Sequence, residues 1–133
     1  MPWPQTPLEQ AESRWKQQGI ASYRIEVSAF RSIHHAQFYH ITVQDGVVVD
    51  QSASCTPAPL EFGKCKVEPF EAEAYTVPGL FAKASSLLEG DYKTWGKVSF
   101  DPTYGFPSQI SYNHPNAVDE DWSWSVTSFE VLP

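Results

Sequence analysis

The stretch Asp101, Pro102, Thr103, Tyr104, Gly105, Phe106, Pro107 decides how this chain folds, because two prolines and a glycine interrupt an otherwise even alternation. Val98 and Phe100 before it, and Ile110 and Tyr112 after it, alternate with Ser99, Gln109, Ser111 and Asn113. That period of two marks half-buried antiparallel strands on either side of a corner. Pro102 fixes its own φ, Gly105 permits a positive φ, and Pro107 biases Phe106 toward extended backbone. A corner so constrained has little conformational freedom to lose on folding. Val at position 105 in place of Gly is expected to strain the backbone, whereas Thr103→Ala is expected to do much less.

Outward from the corner the pattern continues in both directions. Trp122, Trp124 and Val126 alternate with Ser123, Ser125 and Thr127, and Phe129 and Val131 then change parity, which predicts a bulge near Ser128. Upstream, Leu80, Phe81, Ala84, Leu87 and Leu88 form the apolar face of a helix from Thr76 or Val77 to Glu89, with Pro78 in its first turn and Gly90 as its stop. An earlier helix opens on Thr6, Pro7 and Glu9, the pattern of a cap, an N1 proline and a capping-box glutamate, and Gly19 closes it. Leu8, Ala11 and Trp15 give it one apolar stripe. Tyr23 to Ala29 and Tyr39 to Val43 alternate as strands, and Asp45 and Gly46 make a two-residue hairpin turn into Val47, Val48 and Val49. The expectation is an α+β fold, an antiparallel sheet with two amphipathic helices packed on one face, in the order αβββαβββ.

The 133 residues, 41% of them hydrophobic, suffice for one domain over 1–133, with a long proline-rich loop at about 52–78. A net charge of −7 with only nine Lys and Arg repels phosphate backbones, so nucleic acid is not an expected partner. No apolar run reaches the roughly 18 residues of a membrane span. Met1 to Pro7 lacks the basic and apolar parts of a secretory signal. A cytoplasmic site follows if Met1 is the natural start, an extracytoplasmic one if a signal or lipid anchor has been removed.

Several constellations point to chemistry. His34, His35 and His40 suggest a metal site, but Ile33 to Gln37 reads as a hairpin loop and no further ligands are spaced to complete a tetrahedron, so no metal is assigned. Asp119, Glu120 and Asp121 with Asp101 lack the spacing of a calcium loop. Asp101 and Asp119 form a candidate carboxylate pair, set against the common use of Asp before Pro to accept backbone N–H bonds in a turn. No phosphate-binding glycine loop, zinc-protease helix or serine elbow occurs, no cofactor is implied, and no catalytic residue is assigned. Tyr104, Phe106, Tyr112, Trp122 and Trp124 are the densest aromatic group, and Tyr104 at the corner tip is the expected exposed contact. The expected function is a binding or interaction domain that meets an unknown protein or small ligand through Tyr104, Phe106, Asp101 and Asp119, with the middle loop and the open sheet face. The alternative is a small-molecule-binding or hydrolytic protein with a pocket between sheet and helices.

Trp15, Gly19, Ser22, Tyr23, the turn Asp45 to Gly46, Leu80, Phe81, and above all Phe100 to Pro107 with Ile110, Asp119 and Glu120 carry a family resemblance. Together they resemble the uncharacterised bacterial family of small secreted proteins and lipoproteins marked by a Tyr/Phe-Asp-Pro-x-Tyr-Gly-Tyr/Phe-Pro motif. The resemblance implies an α+β domain and export, and it implies no activity. Similar proteins place a close cysteine pair just after the first strand, where Phe30, Arg31 and Ser32 stand here, and this chain shows no lipobox. Its two cysteines, Cys55 and Cys65, lie later and enclose a loop of about eleven residues. In an exported protein they are expected to be joined, contributing on the order of 2 to 3 kcal/mol.

Overall fold

The computed structural model describes residues 5–31, 35–56, 67–89, 95–113 and 121–133. Helix α1 (Pro7–Gln17) precedes strands β1 (Tyr23–Arg31), β2 (His35–Gln44) and β3 (Val47–Thr56). A 3-10 turn (Ala72–Tyr75) leads into α2 (Val77–Glu89), followed by β4 (Gly96–Phe100), β5 (Pro107–Tyr112) and β6 (Trp122–Val131). The six strands form one antiparallel sheet in the order β3-β2-β1-β6-β5-β4. Each half is a three-strand meander, and the two join where β1 pairs with β6 at the centre. The α+β fold and the order αβββαβββ are those of the sequence reading.

Local chemistry explains the boundaries. Thr6 and Glu9 cap each other's backbone N–H groups at the start of α1. Asp45 and Gly46, both at positive φ, form the tight turn between β2 and β3 that matches the twist of the strands it joins. The predicted bulge in β6 is present: Glu26 faces Ser128 and Val27 faces Val126, so Thr127 is the extra residue. This slip keeps Phe129 on the same face as Trp122, Trp124 and Val126.

One apolar cluster lies between this face and the helices, built on Ile25, Val27, Ile41, Val77, Leu80 and Ile110. Tyr23 links the layers, since its hydroxyl accepts the Val77 N–H at 2.9 Å. Burial raises the Tyr23 pKa above 10.0, and the Val77 bond offsets this in part.

Two stretches differ from expectation. The ends of the stretch expected as a loop over 52–78 hold regular structure, because β3 runs on to Thr56 along β2 and a 3-10 turn precedes α2, while 57–66 lie outside the described residues. Likewise Ala36 and Gln37 belong to β2 and not to a hairpin loop, because backbone pairing with β1 continues through them. Gly90 lies outside the described residues.

Candidate functional site

The corner is built as a support for α1. The Asp101 carboxylate accepts the N–H groups of Thr103 at 3.0 Å and Tyr104 at 2.8 Å, the turn role set against a catalytic one above. Gly105 sits at φ +92°, and a Cβ there would stand 2.6 Å from the Ala11 carbonyl oxygen of α1. Arg14 donates to the Pro102 carbonyl and Gln18 to the Tyr104 carbonyl, so helix and corner are stitched together.

Phe106 is 3% exposed and packs on Phe129 with ring centroids 4.6 Å apart, which removes it from any contact surface. A contact role for Phe106 does not fit this burial, since its ring packs on Tyr104 and Phe129 beside the place where α1 meets Gly105. Tyr104 is half-buried, 5.0 Å from the Phe129 ring, and is a packing residue as much as an exposed one. Asp119 lies outside the described residues.

A different region has an open site. Between β1, β2, β6 and the start of α2 lies a hollow of ≈ 610 Å³. Phe30, Tyr39, Phe70, Tyr75, Trp122 and Trp124 line it. The rings form a continuous run: Phe70 meets Tyr39 edge-on at 5.0 Å, Tyr39 stacks on Tyr75 at 3.7 Å, Tyr75 tilts onto Trp124 at 4.8 Å, and Trp124 lies 6.2 Å from Trp122. Such contacts fix the ring planes and leave rigid apolar walls.

The strand register explains why there is space. Core-facing positions along β1 carry Tyr23, Ile25 and Val27 and then Ala29, which lies between Gln37 of β2 and Trp124 of β6. A methyl group in that row leaves room that a larger side chain would fill. Gln37, 3% exposed, holds the outer wall: its amide donates to the Glu68 carbonyl at 3.2 Å and its carbonyl accepts the Glu68 N–H at 3.0 Å. That bidentate clasp satisfies a buried carboxamide and fixes the strip that carries Glu68, Phe70 and Glu71. Cys55, opposite Gln37 on β3, is disulfide-bonded, while Cys65 lies outside the described residues.

Among the described residues, the charged groups of the hollow are Glu68, Glu71, Asp121 and Lys83. The Lys83 ammonium lies 4.5 Å from the centre of the Trp122 ring and 4.9 Å from that of Trp124, within the range of a cation–π contact. Sequence reasoning found Trp122 and Trp124, but it missed Tyr39, Tyr75, Phe70 and Lys83. The available signal was the drop from Val27 to Ala29 on an otherwise bulky strand face.

The open face of the sheet carries charged pairs beside the exposed Phe30. Arg24 pairs with Glu130 at 2.8 Å, and His40 lies 3.7 Å from Glu26. His34 is outside the described residues, and among the described residues no group of three His, Cys, Asp or Glu side chains is placed to hold a metal ion. Among them, too, no helix is long and apolar enough to cross a membrane.

A family match spans residues 7–131. The chain belongs to the DUF6174 family of unknown function. No curated protein and no solved structure matches it.

Proposed function

We propose that the protein is a binding domain that takes a small, largely apolar group into the aromatic hollow between β1, β2, β6 and the start of α2. The observation that carries this reading is a hollow of ≈ 610 Å³ whose lining joins a run of five contacting aromatic side chains to a few charged groups. Ligand sites are of this size and composition, with apolar walls and sparse polar groups that set orientation. The corner, which the sequence favours as contact surface, supports α1 instead. Export is part of the proposal: the disulfide at Cys55 suits an oxidising compartment, and Cys65 is its proposed partner. Counting thiols under denaturing, non-reducing conditions tests that part, and two free thiols in air-oxidised protein would refute it.

The binding reading is tested by screening a fragment library against 15N-labelled protein. Hits are expected to shift the indole N–H signals of Trp122 and Trp124 and to leave Trp15 unmoved. Hits that collect at Trp15 and the corner would overturn the assignment.

A further inference from the structure

We infer that the hollow is selective for organic cations, a quaternary or methylated ammonium group held on the faces of Trp122 and Trp124, and that Lys83 is the internal cation such a ligand displaces. This rests on the binding reading above and adds the ligand's charge to it.

Three observations converge. First, the Trp pair already holds an ammonium group: the Lys83 Nζ atom lies over both rings, at 4.5 and 4.9 Å. The ring faces are therefore oriented for a positive charge, the geometry in which aromatic quadrupoles attract cations best. Second, among the described residues the charged side chains lining the hollow are three carboxylates, Glu68, Glu71 and Asp121, and the ammonium of Lys83. The local field favours a further cation and disfavours an anion. Third, the aromatic run continues past the Trp pair through the buried Tyr75 and Tyr39 to the half-buried Phe70, so methyl groups or a chain attached to the cation have apolar wall to cover, chiefly at Phe70 and the Trp pair.

A methylated ammonium suits these surroundings better than the ammonium of lysine. It is more weakly hydrated and presents carbon to the rings, so less desolvation opposes its entry. Lys83 and Asp121 each hold further partners, so displacement of Lys83 breaks existing contacts and weakens apparent binding in the wild type. Lys83→Met keeps the apolar stem and removes the competing charge.

The probes are choline chloride, its neutral isostere 3,3-dimethyl-1-butanol, and sodium benzoate, titrated into 15N-labelled protein while the Trp122 and Trp124 indole signals are followed. Choline is expected to bind at least about fivefold more tightly than the neutral isostere, the range that a cation–π contact of about 1 kcal/mol supplies. Lys83→Met is expected to tighten choline about threefold or more, and Trp124→Leu to abolish the preference over the isostere. Equal binding of choline and the isostere at these indoles would overturn the cation inference and leave the hollow as a binding site. Tighter binding of benzoate, lost in Lys83→Met, would overturn it in favour of an anion site. No shift from any probe would sink both readings. Should Trp124→Leu unfold the protein, the choline-to-isostere ratio in wild type and Lys83→Met still decides.

Discussion

The corner and the hollow are both dense in aromatic side chains, yet the corner rings pack on one another while those of the hollow border an open space. At the corner, Tyr104, Phe106 and Phe129 pack within 6.1 Å of one another beneath α1, and Gly105 gives the helix backbone its close approach. Around the hollow, comparable rings form walls about a space that Ala29 leaves open and that α2 only borders. Aromatic density alone does not separate core from site. What separates them is whether another element lands on the rings.

Gly105→Val is the strongest way to break this comparison. Positive φ costs a branched residue on the order of 1 to 3 kcal/mol, and the collision with the Ala11 carbonyl adds an overpacking cost of similar size. A loss of about 3 kcal/mol or more is expected in denaturant unfolding. A midpoint equal to that of the wild type would mean that α1 is not seated on the corner.

A paired truncation sharpens the contrast. Phe106→Ala is expected to cost about 3 to 5 kcal/mol, as for buried aromatic side chains generally, whereas Trp122→Ala, half-exposed at the rim of the hollow, is expected to cost less than half as much. Equal losses would show the hollow to be core.

Tyr23→Phe probes the link between β1 and α2. Removing the hydroxyl leaves the buried Val77 N–H without its acceptor, with an expected loss of about 1 to 3 kcal/mol at neutral pH. The pH dependence has a definite sign. The tyrosine of the unfolded chain ionises near pH 10.0 and that of the folded chain only at higher pH, so its contribution is complete below pH 10.0 and is lost as pH rises through the folded value. Alkaline unfolding curves should therefore be shallower for Tyr23→Phe than for wild type. An unchanged alkaline slope would mean that Tyr23 does not couple folding to ionisation.

The smallest effect is expected on the open face of the sheet. Arg24 and Glu130 are both well exposed, so Glu130→Gln should change stability by less than about 0.5 kcal/mol, and by less still in high salt. A larger loss would show that this face is covered in solution.

The sequence by itself determined what local chemistry controls. The capping box of Thr6 and Glu9, the Asp45–Gly46 turn, the bent run from Asp101 to Pro107 and the parity change in β6 are each set by residues within a few positions of one another, so spacing alone places them. From these the α+β class and the strand count follow. The pairing of β1 with β6 joins residues about a hundred positions apart, and only the tertiary structure supplies it. The same holds for the fate of the aromatic rings. Phe106 sits in the bent run and Trp124 in an alternating strand, and nothing near either in the chain says that one ring will be buried while Ala29, far away in sequence, leaves space beside the other. Periodicity reports which face a side chain takes, and packing between distant elements decides whether that face is filled.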